Sequence, residues 1–251
     1  SAPAPKTTAS TAVAVKKPAA ANIVTITAAL KAQAAETMGK IAPGGGNKIT
    51  LSKKDGFVLP DGTKTQGPLE LVIVDFNTKH SFYETQYDPN KIVPPGCFAI
   101  GPNPKQMTPS KNSPNMQSDS CQGCPMNEFK SAGNGKACTN NRVLAVLPPD
   151  ADEDTPMWTL SVSPTALKAF DSYVAGVNRT FGMAPICVVT TVGLNPETEY
   201  PQLTFSNPVQ NDALAVAYAR IAEARDLLNI EPDVSGYEAP SAKGKKPAAR
   251  R

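Results

Sequence analysis

Between residues 48 and 205, apolar and polar positions alternate in short runs, and a period of two predicts strands. The clearest run is LELVIVDF (69–76), followed by SFYETQY (81–87), both rich in β-branched and aromatic residues. Residues 77–80 read as the turn between them. Residues 48–51 and 56–59 flank Lys53-Lys54-Asp55-Gly56, a hairpin signal. RVLAVL (142–147), MWTLSVS (157–163), ICVVTTVGL (186–194) and YPQLTF (200–205) complete the predicted strands. Two segments follow a helical period instead. Leu167, Phe170, Val174, Val177 and Phe181 form one apolar stripe, after Ser163-Pro164 supplies an N-cap and a proline at the first helical position. Leu214, Ala217, Ile221, Ala224 and Leu228 form a second stripe after Asn211. A short Ala-rich helix is predicted over 28–38, stopped by Pro43-Gly44-Gly45-Gly46. Strands followed by two late helices, without regular βαβ alternation, predict an α+β fold. An OB-like small β-barrel with a loop insertion fits the strand count.

Composition narrows this picture. Proline fills 25 of 251 positions, about double the usual ~5%, which disfavours a helical bundle. No run approaches the ~18 apolar residues that span a bilayer, so an integral membrane protein is not expected. Residues 1–21 and 240–251 are polar, Ala/Pro/Lys-rich and without period; they read as disordered basic tails around one domain over 22–239. Charge is polarised along the chain. The tails carry three and five basic residues and no acid. Residues 22–147 carry 13 basic and 9 acidic residues, residues 148–239 only 4 basic against 13 acidic. Asymmetry of this kind points to a polyanionic partner.

Four of five cysteines fall within 42 residues, as Cys97-x23-Cys121-x2-Cys124-x13-Cys138. Each stands on or beside a glycine turn, and the Cys121-Gln122-Gly123-Cys124 knuckle can present two thiolates to one ion. Residues 101–120 hold four prolines and few large apolar side chains, so a loop of this length needs an anchor. An iron–sulfur cluster, two disulfides and a redox dithiol are open alternatives. The reading carried forward is a structural Zn2+ held by Cys97, Cys121, Cys124 and Cys138. Cys187 reads as a small buried hydrophobe in a strand.

No catalytic constellation stands out, so an enzyme is not expected. The single histidine, His80, reads as a turn or surface residue, and the acidic run after Pro149 as a solvated loop. What remains is a binding surface. Phe82, Tyr83, Tyr87 and Phe98 are candidate stacking residues. Lys48, Lys53, Lys54, Lys105, Lys111, Lys130, Lys136 and Arg142 are candidate phosphate contacts. Aromatic faces interleaved with cations are what single-stranded nucleic acids bind.

The stretch CQGCPMNEFKSAGNGKACTNNRVLAVL resembles a segment of phage-encoded proteins: Cys-x-x-Cys-Pro-x-Asn-x-Phe, a Ser/Gly segment, Gly-x-Gly-Lys-x-Cys, then an Arg-bearing strand. LVIVDFNTKHSFYETQYD, PPGCFAIGPN and LSVSP resemble the same group. The family that this group in turn resembles is the phage single-stranded-DNA-binding proteins of OB-fold type. The resemblance implies a non-catalytic protein of phage replication or recombination, acting in the cytoplasm of the infected bacterial host. Its partners would be single-stranded DNA and replication or recombination proteins. Two departures are visible: the chain ends in basic GKKPAARR where such proteins carry an acidic tail, and Lys130 stands where a glycine is expected. The alternative expectation is a zinc-ribbon protein–protein adaptor acting on host polymerase or replisome.

Overall fold

The computed structural model describes residues 46–85, 88 and 93–239, together with Ile26, Ala29, Leu30 and Gln33. The chain divides into two compact units, 1–41 and 42–251. In the first, the four described residues are helical, three of them within the helix predicted over 28–38. The rest of that helix, residues 43–45 of the glycine hinge and both predicted tails lie outside the described residues.

The second unit is built on one sheet. Its strands are β1 (Lys48–Ser52), β2 (Gly56–Val58), β3 (Lys64–Thr65), β4 (Leu69–Phe82), β5 (Cys97–Gly101), β6 (Cys138–Leu147), β7 (Trp158–Val162), β8 (Val188–Leu194) and β9 (Leu203–Gln210). The order is β3-β2-β1-β7-β6-β4-β8-β9, with β5 also on β4. Only β1 and β7 pair in parallel among these neighbours. β4 is the spine. β6 follows it along one edge, while its other edge pairs first with β8 and then, from Thr78 to Phe82, with β5.

The turn expected over 77–80 does not exist. These residues continue β4, paired with Val143, Arg142, Asn141 and Asn140 of β6. The polar run looks like a turn because here the sheet leaves its aliphatic core, and both strands become polar together. The strand expected over 81–87 likewise ends at Phe82. A bulge between Ile73 and Asp75 shifts the register. It lets Leu71, Ile73 and Phe76 enter the same core despite their uneven spacing.

That core lies on the inner face, where Ile49, Leu144, Leu160 and Val192 pack around Phe170 of helix α1 (Leu167–Phe181). The Phe170 ring meets Phe76 and Phe205 edge-on at 5.1 Å each. Phe57 from β2 and Leu203 from β9 share this core although they sit near opposite ends of the strand order. The sheet is therefore curled, and the Lys53 ammonium at its first hairpin donates to the Thr198 carbonyl beside β9. Helices α2 (Leu214–Ala219) and α3 (Ile221–Leu228) cover the outer face over Val72, Val74, Ala145 and Leu147. No helix among the described residues is long and apolar enough to cross a membrane.

Several element limits differ from expectation. A 3-10 turn (Pro164–Ala166) precedes α1, and the Ser163 hydroxyl meets Thr165 rather than capping the helix. The second apolar stripe is split at Arg220, whose guanidinium holds the Glu223 carboxylate and the Thr155 carbonyl. Its backbone leaves helical geometry there (φ −101°, ψ 11°). Cys187 is buried as expected, but in a 3-10 turn (Pro185–Cys187) before β8.

Candidate metal centre and nucleic-acid interface

Two cysteines come from the sheet and two from the loop above it. Register sets Cys97 and Cys138 on either side of Phe82, both opposite it and on one face. The Cys121–Cys124 knuckle turns through Gly123 at φ 75°, a left-handed position that glycine occupies without strain. All four sulfur-bearing side chains are buried, all are free, and all line one cavity of about 10 Å3. That is room for a single water-sized body. The Phe82, Phe98 and Met126 side chains make much of the remaining wall apolar.

Among the described residues no three His, Cys, Asp or Glu side chains are assembled as a metal-holding group. The four thiols share a cavity without closing around a point. Two strand spacings, about 9.6 Å, separate the Cys97 and Cys138 backbones, so their side chains must lean together over Phe82 to share an ion. The thiols already act on one another. Burial, then Cys121, Cys97 and Cys124, push Cys138 up to about 12 against a lowering effect of Lys136. Burial, then Cys97 and Cys124, push Cys121 up to about 11. In this largely apolar wall Cys121 and Cys138 resist ionising unless a cation joins them. Donor type, donor number and cavity size fit one tetrahedral Zn2+.

His80 belongs to this wall. It was expected in a turn or at the surface, yet it is 3% exposed, near the end of β4, lining the cysteine cavity. Burial, then Lys136 and Arg142, lower its pKa to about 4, so the ring is neutral near pH 7. Asn127 braces the knuckle from the other side. Its Nδ2 donates to the Cys121 carbonyl at 2.8 Å, and its Oδ1 accepts from Asn140 (3.0 Å) and Lys136 (3.3 Å).

The proline-rich loop has anchors of its own. Met107 is buried against Ala99 and Cys121. The N–H groups of Ser110 and Asn115 donate to the Phe98 and Gly96 carbonyls along β5. The Glu231 carboxylate, on the segment after α3, accepts from Ser110 Oγ and Asn112 Nδ2 at 2.6 Å each. Farther along, Tyr237 and Asn115 both donate to Glu84. These bonds tie residues 96–115 to the sheet without a metal.

The nominated nucleic-acid contacts separate into three groups. Phe82 and Phe98 are corrected: at 8% and 1% exposure they belong to the core and cannot stack on a base. Their places on β4 and β5, between cysteines and loop, account for this. Arg142 is also corrected; it is buried on β6 with Asp171 of α1 at 3.5 Å. Tyr83 is half-buried and Tyr87 lies outside the described residues. Lys48, Lys53 and Lys54 are exposed on or beside the first hairpin. Lys48 shares the outer face with Lys79, whose pKa is lowered by burial and then by Lys48. Lys105, Lys111, Lys130 and Lys136 are exposed on the cysteine loop.

One aromatic was missed. Phe129 is 67% exposed, between the knuckle and Cys138, with Lys130 after it and Lys136 in the same turn system. The Ser131 hydroxyl fixes this tip, donating toward the Met126 and Glu128 carbonyls and accepting from the Ala137 N–H at 2.8 Å. The signal was a phenylalanine flanked by Lys130 in a segment without strand or helix period. Lys130 has φ 74°, the conformation that makes glycine the expected residue at this place. Lys130→Gly is expected to stabilise the protein by about 0.5–1 kcal/mol, left-handed strain of ~1–2 less the added chain entropy of glycine. A higher urea midpoint at unchanged m-value checks it.

Comparison of the chain with protein-family models, curated proteins and solved structures returned no match.

Proposed function

We propose that this protein binds single-stranded DNA without catalysis, through a cationic, aromatic-tipped loop built on a structural Zn2+ centre. The observation that carries the reading is Phe129, exposed beside Lys130 and Lys136 on the loop whose floor is the four-cysteine cavity. A rigidly held ring offers a stacking platform to any base, and the lysines neutralise the adjoining phosphates. Cys97, Cys121, Cys124 and Cys138 would hold the ion. When bound it would supply cross-linking of β5, β6 and the knuckle, so that its binding free energy becomes folding free energy. The curled sheet with α1 across its inner face supports an OB-like barrel. A role in phage replication or recombination, in the cytoplasm of the infected host, rests on the resemblance of the cysteine segment.

The test is an anisotropy titration of labelled oligo-dT and of a duplex of equal length, at several salt concentrations, with elemental analysis of the same preparation. Binding is expected to favour the single strand. Each phosphate neutralised contributes about −0.7 to the log–log salt slope, so Lys105, Lys130 and Lys136 acting on three phosphates give about −2. Salt-independent or duplex-preferring binding defeats the DNA reading. Zinc retained with no nucleic-acid binding at all favours the protein–protein adaptor instead.

A further inference from the structure

Of the polar side chains on the cysteine cavity, two are already committed. Asn127 Nδ2 donates to the Cys121 carbonyl while its Oδ1 accepts from Asn140 and Lys136, and Gln117 Nε2 donates to the Asn115 carbonyl. His80 differs. Its ring lines the cavity, its residue is almost wholly buried, and its Nδ1 has no hydrogen-bond partner. An orphaned buried nitrogen destabilises the fold if nothing ever meets it. It sits on β4 between Ala99 of β5 and Asn140 of β6, one position on the same face from Phe82, which Cys97 and Cys138 flank. The cavity has room for one ion, and four thiolates drawn onto it would complete a tetrahedral set. A fifth ligand has no place there. A dianionic tetrathiolate centre in an apolar wall nevertheless gains from every N–H directed at its sulfurs.

Resting on the metal reading above, we propose that His80 is a positioning residue of the centre: its imidazole donates Nδ1–H to one of the four thiolates, orienting that sulfur and offsetting its charge without ligating the metal.

Full-length protein, stripped and reloaded with Co2+ or Zn2+ alone, tests this against His80→Phe and His80→Gln. Competition with a chromophoric chelator reads affinity, and the sulfur-to-cobalt charge-transfer bands read the sulfur environment. His80→Phe is expected to weaken metal binding about 10–100-fold. Its charge-transfer bands should shift while keeping the intensity of four sulfur ligands. His80→Gln, which keeps an N–H donor, should recover most of the affinity. Circular dichroism of the metal-free forms should match wild type, separating a positioning role from a packing one. Unchanged affinity and bands in His80→Phe overturn the proposal, as does a spectrum showing that wild type carries an imidazole ligand. Wild type that takes up no metal defeats the centre itself, and this inference with it.

Discussion

Cys138→Ser is expected to abolish tight metal binding and to remove most of the difference in stability between metal-loaded and chelator-treated protein. Cys138 opens β6 opposite Phe82 and is buried with Met126 and Ala137. Serine is nearly isosteric but supplies a poor zinc donor. It also leaves a hydroxyl in an apolar cavity, a cost of about 1–3 kcal/mol if unsatisfied. A ligand at 1,000 times its dissociation constant stabilises the native state by about 4 kcal/mol. For a chain of this size that is roughly 8–16 °C of melting temperature. Wild type should lose that interval to EDTA, and Cys138→Ser should have nothing to lose. The local effect should be uneven. Residues 96–115 keep their bonds to β5 and to Glu231. The segment from Cys121 to Cys138 buries little beyond its own cysteines and Ala132. Limited proteolysis of the chelated protein should therefore cut first between 128 and 137. A wild-type melt indifferent to EDTA, with no metal by elemental analysis, would refute the centre.

The parts legible in the sequence are those where one face of an element meets an aliphatic core. Leu69 to Phe76, Arg142 to Leu147 and the α1 stripe read correctly because each puts its large apolar side chains against Phe170 and its neighbours or under the outer helices. The cysteine spacing pointed to one shared ion; the structure brings the four thiols to one cavity, Cys97 and Cys138 by strand register and Cys121 and Cys124 by the turn through Gly123. Reading failed where the sheet changes its partner. In β4, Asn77 to Ser81 pack against the polar stretch of β6 and the cysteine loop rather than aliphatic side chains, so their polarity imitates a turn. His80 and Phe82 were misplaced for that one reason. Lateral neighbours also decide exposure, and no local pattern reports them: Phe98 is sealed by residues 110–113 folding back on β5, Arg142 by Asp171 from a helix 29 positions later. The loop's need for an anchor was readable, but the anchor includes Glu231, more than 100 residues away.

Phe129 and Phe82 should behave in opposite ways when truncated. Phe129→Ala is expected to leave melting within about 0.5 kcal/mol of wild type, as surface changes do. It should weaken oligo-dT binding by about 1–3 kcal/mol, roughly 5- to 150-fold, the loss of one stacked base. The salt slope should not change, because no phosphate contact is removed. Lys136→Ala should do the converse: a modest loss of affinity and a slope shallower by about 0.7. Phe82→Ala should cost about 3–5 kcal/mol of stability, since it empties the space between Cys97 and Cys138. Its effect on DNA should then follow the loss of metal rather than stacking, and excess zinc should partly restore binding. Anisotropy titrations and urea melts on the three variants separate these outcomes. Phe129→Ala binding as tightly as wild type would show that the exposed ring touches no base, leaving the lysines alone to hold the strand.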